Sequence, residues 1–124
     1  MFSTYVVIAN VNRDGSILKL ICLNGKLSND VQPTRAVYDE IFPPTVAITA
    51  NNQLPRLEKN PYPRTGSSVS HVWFGNESTV EYLRGAEKIW VRTDFSAHPG
   101  TELFSGGPDL DEGINLLLGN CDKL

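Results

Sequence analysis

The chain is poor in the side chains that bind metals or form covalent intermediates. Its 124 residues include only two cysteines, Cys22 and Cys121, and only two histidines, His71 and His98. The cysteines are far apart and no CxxC spacing occurs, so the sequence predicts neither a metal site nor another cofactor. We expect both cysteines to be free thiols, as in a reducing cytoplasm, with a disulfide between them as the alternative.

Long apolar runs are also absent. No stretch approaches the ~18 apolar residues that are needed to cross a bilayer. Residues Met1 to Tyr5 lack the basic start of a signal peptide. The sequence therefore predicts a cytoplasmic protein that does not enter a membrane, and the short apolar stretch from Val6 to Ile8 is interpreted as part of a strand.

The sequence contains none of the spacing signatures of common enzyme classes: GxGxxG, GxxxxGKS/T, HExxH, GxSxG and the kinase set are all missing. The best remaining constellation pairs His71 and His98 with Asp94 and Ser96, which would suit a small histidine-dependent phosphodiesterase or nuclease. However, His71 alternates with apolar residues on a predicted core face, and a packed histidine explains it as well. We therefore assign no catalytic residue and keep an enzyme as the second alternative.

The net charge of −3 is unevenly distributed along the chain. Residues 1–93 contain ten Lys and Arg against eight Asp and Glu, whereas residues 94–124 contain one lysine against six acidic residues. An acidic chain argues against general nucleic-acid binding, which normally uses a basic domain. The acidic C-terminal region instead raises the alternative of a protein-protein inhibitor or immunity-type protein that acts through this region.

Strands dominate the start of the chain. The apolar runs 5–11 and 16–23 flank Asn12-Arg13-Asp14-Gly15, a sequence typical of a β-hairpin loop. Both faces of these two strands are largely apolar, so we expect helices or a second chain to cover each face, and we predict a homo-oligomer. Asn24-Gly25 predicts a second tight turn.

Strands and short helices alternate in the rest of the chain. This order favours an α+β fold in a single domain of residues 1–124, with a mainly antiparallel sheet of about five strands and two or three short helices packed on it. The predicted elements are a helix over 34–42, strands over 45–50 and 67–74, a short helix, a strand over 87–95 and a helix beginning near Pro108, with irregular segments over 51–66 and 96–107. The short helix is predicted to be capped by Ser78, because Ser78-Thr79-Val80-Glu81 fits a capping box, and to stop at Gly85.

The irregular segment 51–66 draws attention because long loops in compact domains commonly carry function. It contains three basic residues and one acidic residue, so its local charge is +2 in an acidic protein. Arg56 and Arg64 lie on either side of Tyr62, which is itself between two prolines that restrict the backbone. We expect this segment to line the functional surface.

The strand predicted over 87–95 adds a second aromatic residue and a further cation. Alternation places Lys88, Trp90, Arg92 and Asp94 on its polar face, opposite Ile89, Val91, Thr93 and Phe95. Aromatic planes beside guanidinium groups suit a nucleotide-like or other flat anionic ligand. Our leading interpretation is therefore a non-enzymatic, homo-oligomeric binding protein for a small anionic ligand, with Arg56, Tyr62, Arg64, Trp90 and Arg92 as its ligand-binding residues.

Overall fold

The computed structural model describes residues 4–32, 45–59, 72–93 and 100–121 of the chain. These residues form two four-stranded antiparallel sheets and two helices, which confirms the α+β class. The predicted number of about five strands is too low. The described elements are β1 (Thr4–Val11), β2 (Ile17–Leu23), β3 (Lys26–Gln32), β4 (Thr45–Ala50), β5 (Arg56–Lys59), β6 (Val72–Phe74), α1 (Glu77–Tyr82), β7 (Lys88–Thr93), β8 (Gly100–Ser105) and α2 (Pro108–Cys121).

The first sheet has the strand order β1-β2-β3-β6 and is built on two tight turns. Gly15 has a φ of 87°, as the predicted β1–β2 hairpin requires, and the Asn12 side chain accepts two hydrogen bonds from backbone N–H groups of the loop. Asn24 and Gly25 have φ values of 51° and 81°, which suit a two-residue hairpin turn. This turn leads directly into β3. The strand was not predicted, because its sequence KLSNDVQ includes few apolar residues.

The second sheet has the strand order β5-β4-β7-β8. The central strands β4 and β7 agree with the predicted strands, but β5 and β8 lie in the two segments that were predicted to be irregular. That prediction is wrong because both are edge strands with weak alternation of their own. β5 contains a single apolar residue, Leu57, and is held by its antiparallel pairing with β4.

The first turn of α1 is capped two residues earlier than predicted. The side chain of Asn76, not that of Ser78, accepts a hydrogen bond from a backbone N–H of the first turn, at 2.9 Å. The Thr79 hydroxyl closes the capping box by accepting from the Asn76 N–H at 3.1 Å. Gly85 follows the helix with a φ of 77°, in line with the predicted stop.

A single apolar core joins both sheets and both helices. α2 begins at Pro108, as predicted, and approaches β1 so closely that a Cβ atom on Gly113 would lie 2.7 Å from Val7 Cγ1. Side chains also link the sheets where β1 approaches β8, because the Ser105 N–H donates to Asn10 Oδ1 at 3.1 Å. The core includes Leu18, Leu20, Val31 and Phe74 from the first sheet, Ile48, Ile89, Val91 and Phe104 from the second, and Val80, Leu83, Leu110, Ile114 and Leu117 from the helical segments.

The prediction of two free thiols is wrong for this structure. Cys22 on β2 and Cys121 at the end of α2 form a disulfide, with their Cα atoms 5.6 Å apart and 99 residues of sequence separation. The packing of α2 on β1 and β2 brings the two cysteines together, and no spacing rule could reveal that packing from the sequence alone. The disulfide ties the end of α2 to β2 of the first sheet.

Three predicted features fall wholly or partly outside the described residues: the helix over 34–42, the strand over 67–74 before β6, and the irregular stretch before β8. Within the described ranges, neither helix is long and apolar enough to span a membrane.

Candidate binding surface

Three of the five predicted ligand-binding residues lie in the described part of the chain. Arg56 is the first residue of β5, and Trp90 and Arg92 lie on β7. Tyr62 and Arg64 lie outside the described residues, so their part in a site stays a prediction.

Arg56 makes several contacts inside the fold. Its Nη1 and Nη2 atoms donate to the backbone oxygen and hydroxyl of Ser78, at 2.9 and 2.6 Å. Its Nε lies 2.8 Å from Glu58 Oε1, an ion pair without a well-aligned hydrogen bond, since that buried oxygen has no hydrogen-bond partner. The guanidinium carbon also lies 5.3 Å from the centre of the Tyr82 ring. These contacts fix β5 against α1 and give Arg56 a structural role.

Tyr82 completes this junction from the end of α1. Its hydroxyl donates to the backbone oxygen of Leu54 at 2.8 Å and accepts from the Ala50 N–H at 3.1 Å. The connection between β4 and β5 is therefore held by a side chain of α1. The charge of Arg56 is part of this junction.

Strand register places Arg56 and the other two residues on opposite faces of the second sheet. Arg56 pairs with Ile48, which also pairs with Val91, and both of these apolar residues are fully buried. Trp90 and Arg92 flank Val91 in the sequence and therefore point to the other side of the strand. The structure thus brings Trp90 and Arg92 together and separates them from Arg56.

Trp90 and Arg92 belong to the outer face of the second sheet, the face that points away from the core. Trp90 is partly exposed and pairs with Thr49 on β4 and with Leu103 on β8. Lys88 lies on the same side of β7, and both Lys88 and Arg92 are exposed. Leu103 is 48% exposed. We refer to these five residues, Lys88, Trp90, Arg92, Thr49 and Leu103, as the Trp90 surface.

At the described positions of this outer face, the charged side chains have one sign. At the described outer-face positions of the four strands, the charged residues are basic and none is acidic. The carboxylates of the neighbouring strands lie on the core side, because Glu58 pairs with Val46 and Glu102 pairs with Val91. The described positions of this face therefore contribute positive charge in a chain whose net charge is −3.

The acidic C-terminal region is partly used inside the fold. Asp111 Oδ1 accepts a hydrogen bond of 2.7 Å from the Gly85 N–H, and Glu102 Oε2 accepts one of 2.8 Å from Asn12 Nδ2. Asp109 in the first turn of α2 is exposed. An inhibitor that acts through this region would therefore have fewer carboxylates at its disposal than the sequence suggests.

Arg84 links the two helices. Its Nε donates to Glu81 Oε2 at 3.1 Å, and its Nη1 donates to Asn115 Oδ1 at 2.6 Å. The hydrogen bond with Glu81 is the main cause that raises the pKa of Arg84 above its ordinary value. Arg84 is thus a cation held beside the two helices, and it is not part of the Trp90 surface.

The residues of the enzymatic alternative are not described, because His71, His98, Asp94 and Ser96 all lie in the gaps between the described ranges. Within those ranges, no group of three or more His, Cys, Asp or Glu side chains could hold a metal ion.

No family model matches the chain, and no curated protein and no solved structure matches it significantly. Function is therefore inferred from the residues of this chain alone.

Alternation along β7 was sufficient to find Trp90 and Arg92 from the sequence, and it also placed Lys88 on their side. It could not reveal Leu103 or Leu57 as neighbours, because β8 and β5 were not predicted to be strands. The missing signal was the pairing of these edge strands, which depends on contacts with the central strands and not on a local pattern.

Proposed function

We propose that the chain is a non-enzymatic binding protein whose ligand docks on the Trp90 surface. The observation that carries this proposal is a partly exposed tryptophan flanked by two exposed cations, Lys88 and Arg92, on a face without acidic residues at its described positions. An anion approaching this face gains electrostatic free energy even though the whole chain is acidic.

The side chains complement a ligand that joins an anionic group to a flat or apolar one. The planar guanidinium of Arg92 matches a carboxylate or phosphate through two parallel hydrogen bonds, and Lys88 adds a compact charge. Trp90 supplies a large apolar face for an aromatic ring or an aliphatic side chain. Leu103 extends this apolar area on the side of β8.

The proposal keeps the ligand class that the sequence predicts and changes the residues that hold it. Arg56 leaves the set because it lies on the opposite face and is engaged with Ser78 and Glu58. Lys88 and Leu103 enter it.

Intrinsic fluorescence offers a direct test of this surface. The chain has two tryptophans, so the substitution Trp73→Phe leaves Trp90 as the only one. This protein is titrated with AMP, ATP and poly-L-glutamate, with adenosine as the uncharged control. We expect a saturable change for an anionic probe and none for adenosine, and a probe at 100 times its Kd should stabilise the fold by about 2.7 kcal/mol.

The matched control removes an arginine elsewhere. Arg92→Ala should weaken binding at least about tenfold, which corresponds to about 1.4 kcal/mol. Arg13→Ala, which removes an exposed arginine from the β1–β2 loop, should leave binding unchanged. An equal loss of affinity in the two variants would show that only the net charge of the protein matters. Failure of every anionic probe to bind would contradict the proposal.

We also propose that the chain is a homo-oligomer in which a second copy covers the outer side of β1. Val6, Ile8 and Val11 lie on that side and are exposed, while the other side of the strand packs against α2. Burying this row gains roughly 25 cal/mol for each Å² of apolar surface.

Sedimentation velocity checks the oligomer. Ile8→Lys should shift the protein to a smaller species. Leu116→Lys is the control and should not, because Leu116 lies on α2; the two residues are similarly exposed, at 59% and 50%. A wild-type protein that sediments as a monomer at micromolar concentration would contradict this part of the proposal.

The cellular location stays a prediction. The cytoplasm expected from the sequence is reducing and would not maintain the Cys22–Cys121 disulfide, whereas an oxidising compartment would. Alkylation of thiols in intact cells, followed by mass spectrometry, separates the two locations. Modified Cys22 and Cys121 would support the cytoplasm, and resistance of both residues until a reductant is added would contradict it.

A further inference from the structure

On the outer face of the second sheet, the strand register places small side chains of β4 between larger ones of β5 and β7, and we call this arrangement the groove. Its floor consists of Ala47 and Thr49, which are small and partly exposed. On one side, Leu57 of β5 pairs with Ala47 and is 73% exposed. On the other side, Arg92 pairs with Ala47 and Trp90 pairs with Thr49. Large side chains therefore flank a strip of small ones.

Strand geometry gives the size of this groove. Neighbouring strands are about 4.8 Å apart, so the backbones of β5 and β7 lie about 9.6 Å from each other across β4. β4 has six residues, which corresponds to a length of about 20 Å, and its neighbours are offset: β5 pairs with Thr45–Ile48 and β7 with Ala47–Ala50. An extended segment of about six residues fills this length. A mononucleotide would occupy only part of it.

The two walls of the groove have different chemistry. The β7 wall carries the cations Lys88 and Arg92 around Trp90, whereas the β5 wall has the apolar Leu57 beside Ala47 and a single cation, Lys59, at the position of Thr45. An occupant that contacts both walls needs acidic groups on one side and apolar groups on the other.

We infer that this groove docks an extended segment of an acidic partner protein. Its carboxylates face Lys88 and Arg92, and its apolar side chains pack against Leu57 and Trp90. This inference rests on the proposed function, because it uses the same Trp90 surface, and it adds the class of the ligand. Charge complementarity selects an acidic segment, and the exposed leucines select a polypeptide over a phosphate ester, which has no apolar side chains to cover them.

The substitution Ala47→Phe separates the groove from the rest of the surface. Ala47 is partly exposed on the outer face, so a phenylalanine there fills the groove and stays out of the core. Thr101→Phe is the matched control, because Thr101 is exposed and pairs with Arg92 from the β8 side, outside the groove. Thr49→Phe is a second groove-filling variant, and the melting temperature of each variant establishes that it is folded.

Peptide selection provides the probe. A phage library of random dodecapeptides is selected on the wild-type protein, and selected peptides are titrated in solution. We expect peptides rich in Asp and Glu with interspersed apolar residues. Their affinity should fall at least about tenfold in Ala47→Phe, Thr49→Phe and Lys88→Ala, and by less than about twofold in Thr101→Phe.

The other outcomes overturn the inference in distinguishable ways. Selected peptides that are basic or uncharged, or that bind both groove-filled variants as tightly as wild type, would overturn the groove. If no peptide is selected while AMP or ATP binds in an Arg92-dependent manner and survives Ala47→Phe, the inference fails and the proposed function stands. If neither peptides nor anionic probes bind, both fail.

Discussion

The two sheets differ in how their side chains are used. The first sheet is fixed to α2 by the Cys22–Cys121 disulfide and by the close approach of Gly113 to Val7. The second sheet has no covalent link at its described residues, and its outer face exposes Trp90 and Leu57 at least in part. In the first region packing requires the residues that are present, whereas on the outer face of the second it does not.

This difference separates residues that maintain the fold from residues that are accessible to a partner. Exposed leucines contribute little to the free energy of unfolding, and large exposed apolar areas on soluble proteins commonly mark interaction sites. The contrast therefore predicts large losses of stability from changes near α2 and small ones from changes on the outer face of the second sheet.

The largest effect should come from the disulfide. Replacing Cys22 and Cys121 by serine removes a link that closes a loop of about 100 residues, so the free energy of unfolding should fall by about 4.7 kcal/mol in the chain-entropy account. Denaturant unfolding with and without a reductant measures this loss. Wild-type protein whose midpoint is insensitive to reductant would contradict the contrast between the two regions.

Arg56→Ala should give the next largest effect, although Arg56 was predicted to bind the ligand. The change removes two hydrogen bonds to Ser78 and leaves Glu58, which is 7% exposed, without its cation. We expect a loss of about 2 kcal/mol, since the arginine itself is partly exposed.

A second substitution and a binding measurement sharpen this prediction. Glu58→Gln in the Arg56→Ala background should recover part of the stability, because it removes the unpaired charge. Binding of AMP or poly-L-glutamate should be unchanged in Arg56→Ala. A variant that keeps its stability and loses binding would return Arg56 to the ligand site.

Much of the fold could be predicted from the sequence where local patterns are strong. The hairpin of β1 and β2, the strands β4 and β7 and the start of α2 at Pro108 all follow from turn residues, alternation or helix-start signals. β5 could not be predicted, since a four-residue strand with one apolar residue exists only through pairing with β4. The helix cap was assigned to Ser78 because Ser78 and Glu81 fit the capping-box pattern. The same pattern does not exclude a cap two residues earlier, at Asn76.

The candidate site could be predicted only in part. Trp90 and Arg92 lie two residues apart on one strand, and the period of two predicted that they share a face. Arg56 was assigned to the same site because the segment 51–66 was interpreted as a loop, and a loop residue has no defined face. Because Arg56 lies on a strand and pairs with Ile48, it belongs to the core side of the sheet. This pairing could not be predicted from the residues around Arg56.

Substituting either of two glycines in α2 should change the free energy of unfolding by a smaller amount, and the two changes should have opposite signs. In Gly113→Ala the new methyl group would lie 2.7 Å from Val7 Cγ1, so we expect a loss of about 1 kcal/mol despite the better helix propensity. Gly119→Ala has nothing within 4 Å and should gain about 0.5 kcal/mol. Thermal unfolding of the two variants measures both changes. Stabilisation by both would show that α2 is not packed closely on β1.

Leu57→Ser should have the smallest effect on stability and a clear effect on binding. Leu57 is 73% exposed on an edge strand, so replacing it with a polar residue should change the free energy of unfolding by no more than about 0.5 kcal/mol. The same change removes the apolar wall of the groove and should weaken a selected acidic peptide at least about fivefold, because the wall buries apolar surface only in the complex. Leu116→Ser, which alters an exposed leucine of α2, should change neither quantity. If Leu57→Ser destabilised the protein as much as Arg56→Ala, Leu57 would be a packing residue of the second sheet, and the division between fold-maintaining and partner-facing residues would not hold at β5.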